Sequence, residues 1–343
     1  MFETISAPRR PDWKMRIVVV AASVACGVGI FSLLRMTQMP LKSYRGPLPP
    51  LSVAQSELAG KLSEHVRYLS TAIGVRNLDR TRSLNLTADY IRGNMERSGY
   101  TVNEFPYTAD GQVVSNLQAE QLGSENSRQT IVIGAHYDTV MSTAGADDNA
   151  SGVAAVLELA RLMKGRKFRR SLRFVFFVNE EPPYFQTTQM GSWVYAKTLH
   201  RDGIQVSAMI SLETLGFYSD EPNSQRYPAL LRLFYPRRGD FIGFVGNSES
   251  RDLIRRAIRS FRRSARFPSE GIAGPAAWPG IGWSDHWSFW QEGYPAIMIT
   301  DTATFRYPYY HTAGDTHERL DFEKMARVVE GTDAVVSALA DEQ

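Results

Sequence analysis

Cysteine is almost absent from this sequence. Cys26 is the single cysteine among 343 residues, which excludes an internal disulfide, a cysteine-rich zinc module and a redox pair of cysteines. A strong charge imbalance is missing as well, because 39 Lys and Arg residues face 36 Asp and Glu residues, for a formal net charge of +3. A charge this small gives no reason to expect nucleic acid as a partner.

One long apolar run lies near the N-terminus. Residues 17–34 contain no charge and follow an arginine-rich flank. The run just reaches the roughly 18–20 residues that a membrane-spanning helix needs, and the basic flank favours a cytoplasmic location for residues 1–16. We therefore expect a single-pass signal anchor with the rest of the chain outside the cytoplasm. A cleaved signal peptide and a secreted protein are the alternative, although such an apolar region usually has only about 7–15 residues.

Residues 35–51 contain several prolines and no periodic pattern, which predicts a stiff linker. Beyond it there is no internal repeat, and we predict one domain over residues 52–341, large enough to bury a sizeable core. Short apolar runs, typical of strands covered on both faces, alternate there with segments of helical periodicity. This alternation predicts an α/β fold with a mostly parallel central sheet flanked by helices. The expected strands are 130–138, 171–181, 206–216 and 294–302.

Side chains able to bind a metal follow these strands. His136 and Asp138 end the first strand, Glu180 and Glu181 end the second, and Glu213 lies in the third. Imidazoles and carboxylates without thiolates are the ligands of hydrolytic zinc sites. Residues two apart on a strand share a face, so Asp138 is expected to accept the second ring N–H of His136. A lone His-x-Asp pair is weak evidence, but two buried carboxylates without a cation would be costly.

The segments "AHYDT", "GADDNASG", "NEE", "LETLG", "SDHWSFW" and "YHTAGDT" occur in an order that resembles the M28 family of dinuclear zinc peptidases. The resemblance covers residues 129–315 and implies a zinc exopeptidase fold, two zinc ions and a peptide substrate. It implies that His136 binds one zinc and His311 the other, with Asp148 bridging them. Glu181 would complete the His311 side. Glu213, where many members have Asp, would complete the His136 side.

The resemblance also assigns roles beyond metal binding. Glu180 corresponds to the general base of the family, and Tyr310 to a tyrosine that stabilises the oxyanion in some relatives. Asp285 and His286 are expected close to the site as orienting or substrate-facing groups. A single-zinc glutaminyl cyclase and a non-catalytic, receptor-like ectodomain remain alternatives, although the complete ligand set together with Glu180 favours a peptidase.

Several properties stay open at this stage. An aminopeptidase is the expectation, but the sequence does not reveal which end of a peptide is trimmed, which side chain is preferred or what the oligomeric state is. Residues 217–282 are expected to cover the site, although no motif there is recognisable. Residues 251–266 combine an apolar stripe with many arginines, which predicts an amphipathic helix. We expect this helix to pack on the domain with a solvated basic face, and contact with anionic lipid is the alternative.

Overall fold

The computed structural model describes residues 13–342, so residues 1–12 of the expected cytoplasmic segment 1–16 lie outside the described part. The chain forms two compact units, with the boundary between Gln38 and Met39. The first unit contains helix α1 (Trp13–Thr37). Within it, Ile17–Thr37 has a mean hydropathy of 2.5 and is long and apolar enough to cross a membrane. A signal sequence would have the same properties.

The second unit is built on an eight-stranded sheet with the strand order β1-β2-β4-β3-β5-β8-β6-β7. Strands β4, β3, β5 and β8 run parallel in its centre, while β1 and β2 form an antiparallel hairpin on one side. On the other side β6 runs antiparallel to β8 and parallel to β7. The α/β prediction is confirmed, and the sheet is mostly but not wholly parallel. The strands are β1 (Val102–Ala109), β2 (Gln112–Gln121), β3 (Asn126–His136), β4 (Arg170–Phe177), β5 (Gln205–Glu213), β6 (Ile242–Asn247), β7 (Ser269–Gly274) and β8 (Ala296–Thr300).

Helices cover both faces of the sheet. Because side chains alternate along a strand, Ile131 and Ile133 of β3 enter the larger core, whereas Val132 between them enters a smaller core on the other face. Such double coverage explains why the central strands are apolar runs rather than alternating ones. The helices of this unit are α2 (Val53–Arg67), α3 (Thr81–Arg97), α4 (Gly152–Met163), α5 (Gly191–Arg201), α6 (Arg251–Ser264), α7 (His286–Gln291) and α8 (Phe322–Asp341).

The four predicted strands correspond to β3, β4, β5 and β8. Strand β4 ends at Phe177, earlier than the predicted 181, because the backbone N–H of Val178 already donates to the side chain of Asn116. Glu180 and Glu181 therefore lie in the loop that follows the strand. This loop leaves the carboxyl edge of the sheet, where the parallel strands β3 and β5 also end.

Residues 39–51 form no helix or strand. Their first part, residues 39–45, runs along β7, one of the two outermost strands of the sheet, and we call it the edge segment. Arg262 of α6 donates to the carbonyls of Pro40 and Leu41 at 3.1 and 2.8 Å. The backbone N–H of Ser269, the first residue of β7, donates to Oγ of Ser43 at 2.9 Å. These contacts place the edge segment against α6 and β7.

Candidate active site

The carboxyl edge of the sheet brings together the side chains expected to bind metal. His136 is the last residue of β3 and Glu213 the last of β5. Asp148 lies in the turn before α4, and Glu181 follows β4. His311 joins them from the loop that follows β8. Side chains from distant parts of the sequence thus lie close together, and we call these five residues the metal-binding group.

The candidate ligands include two sets of three residues that share Asp148, and we call each set a trio: His136 with Asp148 and Glu213, and His311 with Asp148 and Glu181. Nε2 of His136 lies 3.3 Å from Oδ1 of Asp148 and 3.2 Å from Oε2 of Glu213. Nε2 of His311 lies 3.0 Å from Oδ2 of Asp148 and 3.3 Å from Oε2 of Glu181. In each trio one ligand atom per residue lies within 4.8 Å of the others. The two carboxylate oxygens of Asp148 therefore face different histidines, as a bridging ligand must.

The donor set fits divalent cations. Among the described residues, Nε2 of His136, Oδ2 of Asp148, Oε1 of Glu181 and Nε2 of His311 are buried and have no hydrogen-bond partner. Buried polar atoms are ordinarily paired, since leaving them unpaired is costly. A cation within each trio would pair Nε2 of the two histidines and Oδ2 of Asp148. Imidazole nitrogen and carboxylate oxygen are also ligands that zinc accepts.

The electrostatics of the cluster support the same conclusion. Burial raises the pKa of Glu181 to about 8, and the nearby Asp148 carboxylate adds to the shift against the opposing effect of His311. Burial also raises the pKa of Glu180 well above its usual value, although His136 opposes this. Because carboxylates crowd together here away from water, each is hard to ionise alone. Bound cations would reverse that effect.

Asp138 connects two of the strand ends. Its Oδ1 lies 3.4 Å from Nδ1 of His136. The same carboxylate accepts hydrogen bonds from the backbone N–H groups of Glu180 and Glu181, each at 3.1 Å. Asp138 thus fixes the loop after β4, and its carboxylate lies beside Nδ1 of His136 without forming a hydrogen bond of standard geometry to it. The second of these contacts was not expected from the sequence.

Glu180 and Tyr310 lie beside the two trios that share Asp148. Glu180 also belongs to a third possible ligand trio, with His136 and Glu181. Oε2 of Glu180 lies 3.8 Å from Nε2 of His136, and the carboxyl is buried. The ring of Tyr310 stacks on that of His311, with centroids 3.9 Å apart. Burial raises the pKa of Tyr310 well above its usual value, and the Asp148 carboxylate raises it further. The phenol is therefore protonated at neutral pH and can donate a hydrogen bond.

Asp285 and His286 are both fully buried. Burial raises the pKa of Asp285 to about 7, against the opposing effect of His136 nearby. His286 donates from Nε2 to the carbonyl of Ile281 at 2.7 Å and packs edge-on against Trp290. The structure therefore brings Asp285 close to the metal-binding group and directs His286 into the protein interior.

Three further residues hold this group in place and were not predicted. Asp315 accepts from the backbone N–H groups of Asp147 and Asp148 at 2.8 and 3.1 Å. Ser284 donates to Oε2 of Glu213 at 2.8 Å, and Asn149 donates to the same oxygen at 3.3 Å. Asp315 and Ser284 lie in the motifs "YHTAGDT" and "SDHWSFW", but neither motif indicates which partner they contact.

A cavity of about 100 Å³ opens beside Glu213 and Tyr310. Its walls come mainly from β6, β7, β8 and the loop before β6, and they are largely apolar. Residues 217–282 thus contribute part of this cavity, although β6, α6 and β7 within that segment belong to the sheet layer. Side chains on the cavity wall include Leu231, Phe241, Val245, Ile272, Met298 and Phe305.

Known proteins show corresponding sequences and folds. The sequence model of peptidase family M28 matches residues 116–336, more than half of the chain. Protein YfbL of Escherichia coli (strain K12) is 40% identical over 280 residues, covering 79% of this chain and 85% of its own length. A probable leucine aminopeptidase of Trichophyton verrucosum (strain HKI 0517) is 28% identical over 302 residues, covering 80% of this chain and 74% of its own length.

Two solved structures have the same fold at low sequence identity. The zinc aminopeptidase BSAP of Bacillus subtilis superposes with a TM-score of 0.66 at 15% identity, over 83% of this chain and 96% of BSAP. A glutaminyl cyclase of Bacteroides thetaiotaomicron superposes with a TM-score of 0.62 at 18% identity, over 87% of this chain and all of the cyclase. The fold is therefore common to peptidases and cyclases, and the site residues must distinguish them.

Proposed function

The chain belongs to peptidase family M28, and from this premise we propose that it is a membrane-anchored aminopeptidase that uses two zinc ions. The observation that carries the proposal is the shared carboxylate of Asp148, whose two oxygens face His136 and His311. A site for a single metal has no need of a second complete trio. This argues against a single-zinc cyclase, and the complete ligand set argues against a non-catalytic ectodomain.

In this proposal His136, Asp148 and Glu213 hold one zinc, and Asp148, Glu181 and His311 hold the other. Bound zinc would polarise the scissile carbonyl and make a water molecule more acidic. Asp138 keeps the ring of His136 oriented through Nδ1, as partners of ligating histidines do. The fit of both zinc sites rests on the buried, unpaired donor atoms described above.

Glu180 and Tyr310 carry out the proton and hydrogen-bond steps. Glu180 accepts a proton from the attacking water and delivers it to the nitrogen of the leaving amine, a role for which a carboxyl with a raised pKa is suited. Tyr310 donates its phenolic hydrogen bond to the oxygen on which negative charge develops. Glu180 is buried and Tyr310 is half-buried beside the proposed zinc ligands, so little water competes with these steps.

The substrate is proposed to be a peptide with a free α-amino group and an apolar first side chain. The apolar cavity beside Glu213 and Tyr310 would receive the first side chain. A related sequence carries the name leucine aminopeptidase, in agreement with such a preference.

Paired variants test the metal assignment. Asp148→Ala should lower occupancy of both zinc sites, because it removes one ligand from each. His136→Ala should spare the zinc held by Glu181 and His311. Elemental analysis of the purified proteins measures the difference, and equal zinc loss from both variants would refute the shared-aspartate assignment.

A substrate screen tests the reaction. The zinc-loaded protein should hydrolyse leucyl peptides with a free amine and leave the same peptides intact when the amine is acetylated. Cleavage of both forms would contradict an aminopeptidase. Conversion of N-terminal glutamine to a cyclic product without peptide hydrolysis would favour the cyclase instead.

The extracytoplasmic location of the domain is proposed as well, and digestion by protease added outside spheroplasts would test it.

A further inference from the structure

Helix α6 has two different faces. Leu253, Ile254, Ala257, Ile258 and Phe261 are buried in the larger core, so the apolar stripe packs on the domain as expected. The opposite face is basic. Arg259 and Arg263 lie one helical turn apart and are exposed, and the exposed Arg266 follows two residues after the helix ends.

The edge segment adds positive charge beside this face. Lys42 and Arg45 are exposed. Lys42 lies between Leu41, whose carbonyl accepts from Arg262, and Ser43, whose hydroxyl accepts from the backbone of Ser269. It is therefore held against the end of α6 and the start of β7. We call the combined surface the basic patch; it comprises Lys42, Arg45, Arg259, Arg263 and Arg266.

Two carboxylates lie near the basic patch, the exposed Asp252 of α6 and Glu270, whose charge interacts with Arg45 as well as with Arg262. Glu270 is half-buried, and its carboxylate faces Arg262, with 3.7 Å between Oε2 and Nη2. Arg262 itself is only partly exposed and also binds the edge segment. Within the described part of the chain, no side chain of the basic patch forms an ion pair with a carboxylate. The patch thus presents several unpaired cationic groups on one surface.

The same segment joins the domain to the apolar helix. Helix α1 ends at Thr37, and Met39 already packs against Gly271 of β7. Five residues of extended chain reach at most about 17 Å, so Lys42 cannot lie farther than this from the end of α1. At physiological salt the Debye length is about 8 Å. An anchored α1 would therefore hold Lys42 no farther than about two Debye lengths from the membrane surface, and docking must close the remaining distance.

We propose that the basic patch docks on the anionic phospholipid headgroups of the membrane that α1 spans. The inference rests on the membrane anchoring proposed above. Because the apolar stripe of α6 is buried in the domain, the helix does not insert into the lipid, and the contact is electrostatic. Each basic side chain near an anionic surface shifts binding by about fivefold. Docking would restrict the orientation of the domain relative to the membrane.

The test uses the full chain reconstituted in vesicles. Cys26 is the only cysteine, so a Cys26→Ser, Ser264→Cys protein accepts a fluorophore at the exposed end of α6. Vesicles of phosphatidylcholine alone, or with added phosphatidylglycerol, carry a nitroxide quencher on some headgroups. We expect strong quenching on the anionic vesicles, weak quenching on the neutral ones, and loss of the difference in high salt.

Two variants with the same change in net charge show whether docking depends on the basic patch or on the total charge of the protein. Replacing Arg259, Arg263 and Arg266 together by Gln should shift the docking equilibrium by about 100-fold towards the undocked form. The control replaces Arg80, Arg82 and Arg97 by Gln; these exposed arginines lie just before α3, in its first turn and at its last residue. The control should dock like the parent. Both variants should hydrolyse a soluble peptide at the parent rate, which reports intact folding.

Flotation of the vesicles distinguishes this inference from the anchoring proposal. If the chain floats with both vesicle types and shows equal quenching on them, the anchor is present and the docking proposal is wrong. A chain that floats only with anionic vesicles, and loses flotation in the patch variant, supports docking and contradicts the anchor. Flotation with neither vesicle type overturns both. Equal loss of docking in the patch and control variants also overturns the inference, because net charge alone would explain it.

Discussion

Glu180 and Glu181 are neighbours in the chain, yet their carboxylates meet different partners. Oε2 of Glu181 lies 3.3 Å from Nε2 of His311, inside one metal-binding trio with Asp148. Glu180 instead approaches His136 at 3.8 Å. The difference arises because successive residues of the loop after β4 point in different directions, with both backbone N–H groups fixed by Asp138.

This geometry predicts opposite outcomes for two conservative substitutions. Glu180→Gln keeps shape and hydrogen bonding but cannot accept a proton, so kcat should fall by about 10²–10⁴-fold at unchanged zinc content. Glu181→Gln should lose zinc as well as activity. Steady-state kinetics together with elemental analysis measure both. Zinc loss in the first variant and retention in the second would exchange the proposed roles.

His286 is a buried titratable group that does not face the metal-binding trios. Burial lowers its pKa to about 4, against the opposing effect of its hydrogen bond to Ile281. In the unfolded chain the pKa is about 6.5, so the unfolded state binds the proton first as the pH falls. The contribution of neutral His286 to the free energy of unfolding is fully present above pH 6.5 and is lost as the pH falls towards 4. The loss between pH 7 and pH 5 is about 2 kcal/mol.

A His286→Gln variant tests this linkage. The free energy of unfolding of the parent and the variant would be measured by urea denaturation at both pH values. The decrease from pH 7 to pH 5 should be smaller in the variant by about 2 kcal/mol, since glutamine does not titrate. Equal decreases in the two proteins would show that His286 contributes nothing to acid sensitivity.

Candidate metal ligands were easier to predict from the sequence than the residues that hold those ligands in place. His136 and Glu181 follow apolar strands, where an imidazole or a carboxylate has no other obvious purpose. Asp315 and Ser284 act through hydrogen bonds to a backbone and to a carboxylate. Such contacts depend on how loops distant in sequence meet, and no residue spacing encodes that meeting. The roles of the candidate site residues themselves stay predictions until variants are measured.

Among the elements, the four apolar strands of the sheet centre were predicted, whereas β1, β2, β6 and β7 were not, although β6 is buried along its whole length. The runs of β3, β4, β5 and β8 are apolar because helices cover both faces. In β1 most side chains are at least partly exposed, and its sequence "VNEFPYTA" has no apolar run. Strand β7, "SEGIAG", consists mainly of small residues. Local composition is a weak signal in both cases, because pairing with a neighbouring strand determines their structure.

The contact between α6 and α8 predicts the effect of adding a single methyl group. A Cβ atom at Gly331 of α8 would overlap the ring of Phe261 of α6. Gly331→Ala should therefore destabilise the protein by about 1–3 kcal/mol, as overpacking does. Gly60 of α2 provides the control, because a Cβ atom there would contact nothing within 4 Å.

Gly60→Ala should raise the free energy of unfolding by about 0.5–1 kcal/mol, since alanine favours helix more than glycine. Chemical denaturation of the two variants beside the parent would measure both changes. Stabilisation by Gly331→Ala would mean that the two helices can separate at little cost. Destabilisation by Gly60→Ala would contradict the exposed position of that residue in α2.

For the whole molecule, the order of motifs predicted the fold class, but the order and direction of the strands became known only from the structure. The antiparallel strands β2 and β6 flank the parallel centre on opposite sides. Nothing in a strand sequence specifies the direction of its neighbour, because both directions satisfy the backbone hydrogen bonds. The boundary expected between linker and domain at residues 51 and 52 remains a prediction. Residues 39–45 nevertheless make hydrogen bonds to α6 and β7.

The position of the edge segment has a consequence for self-association. An uncovered outer strand offers free backbone donors and acceptors to the same strand of another copy. The edge segment occupies part of β7 through the hydroxyl of Ser43, which accepts from the backbone N–H of Ser269, and Arg262 holds the segment against α6. A chain shortened to begin at residue 46 should therefore form dimers or larger aggregates, whereas one beginning at residue 39 should not. Light scattering at matched concentrations would show the difference, and equal scattering would mean that β7 resists strand addition without its cover.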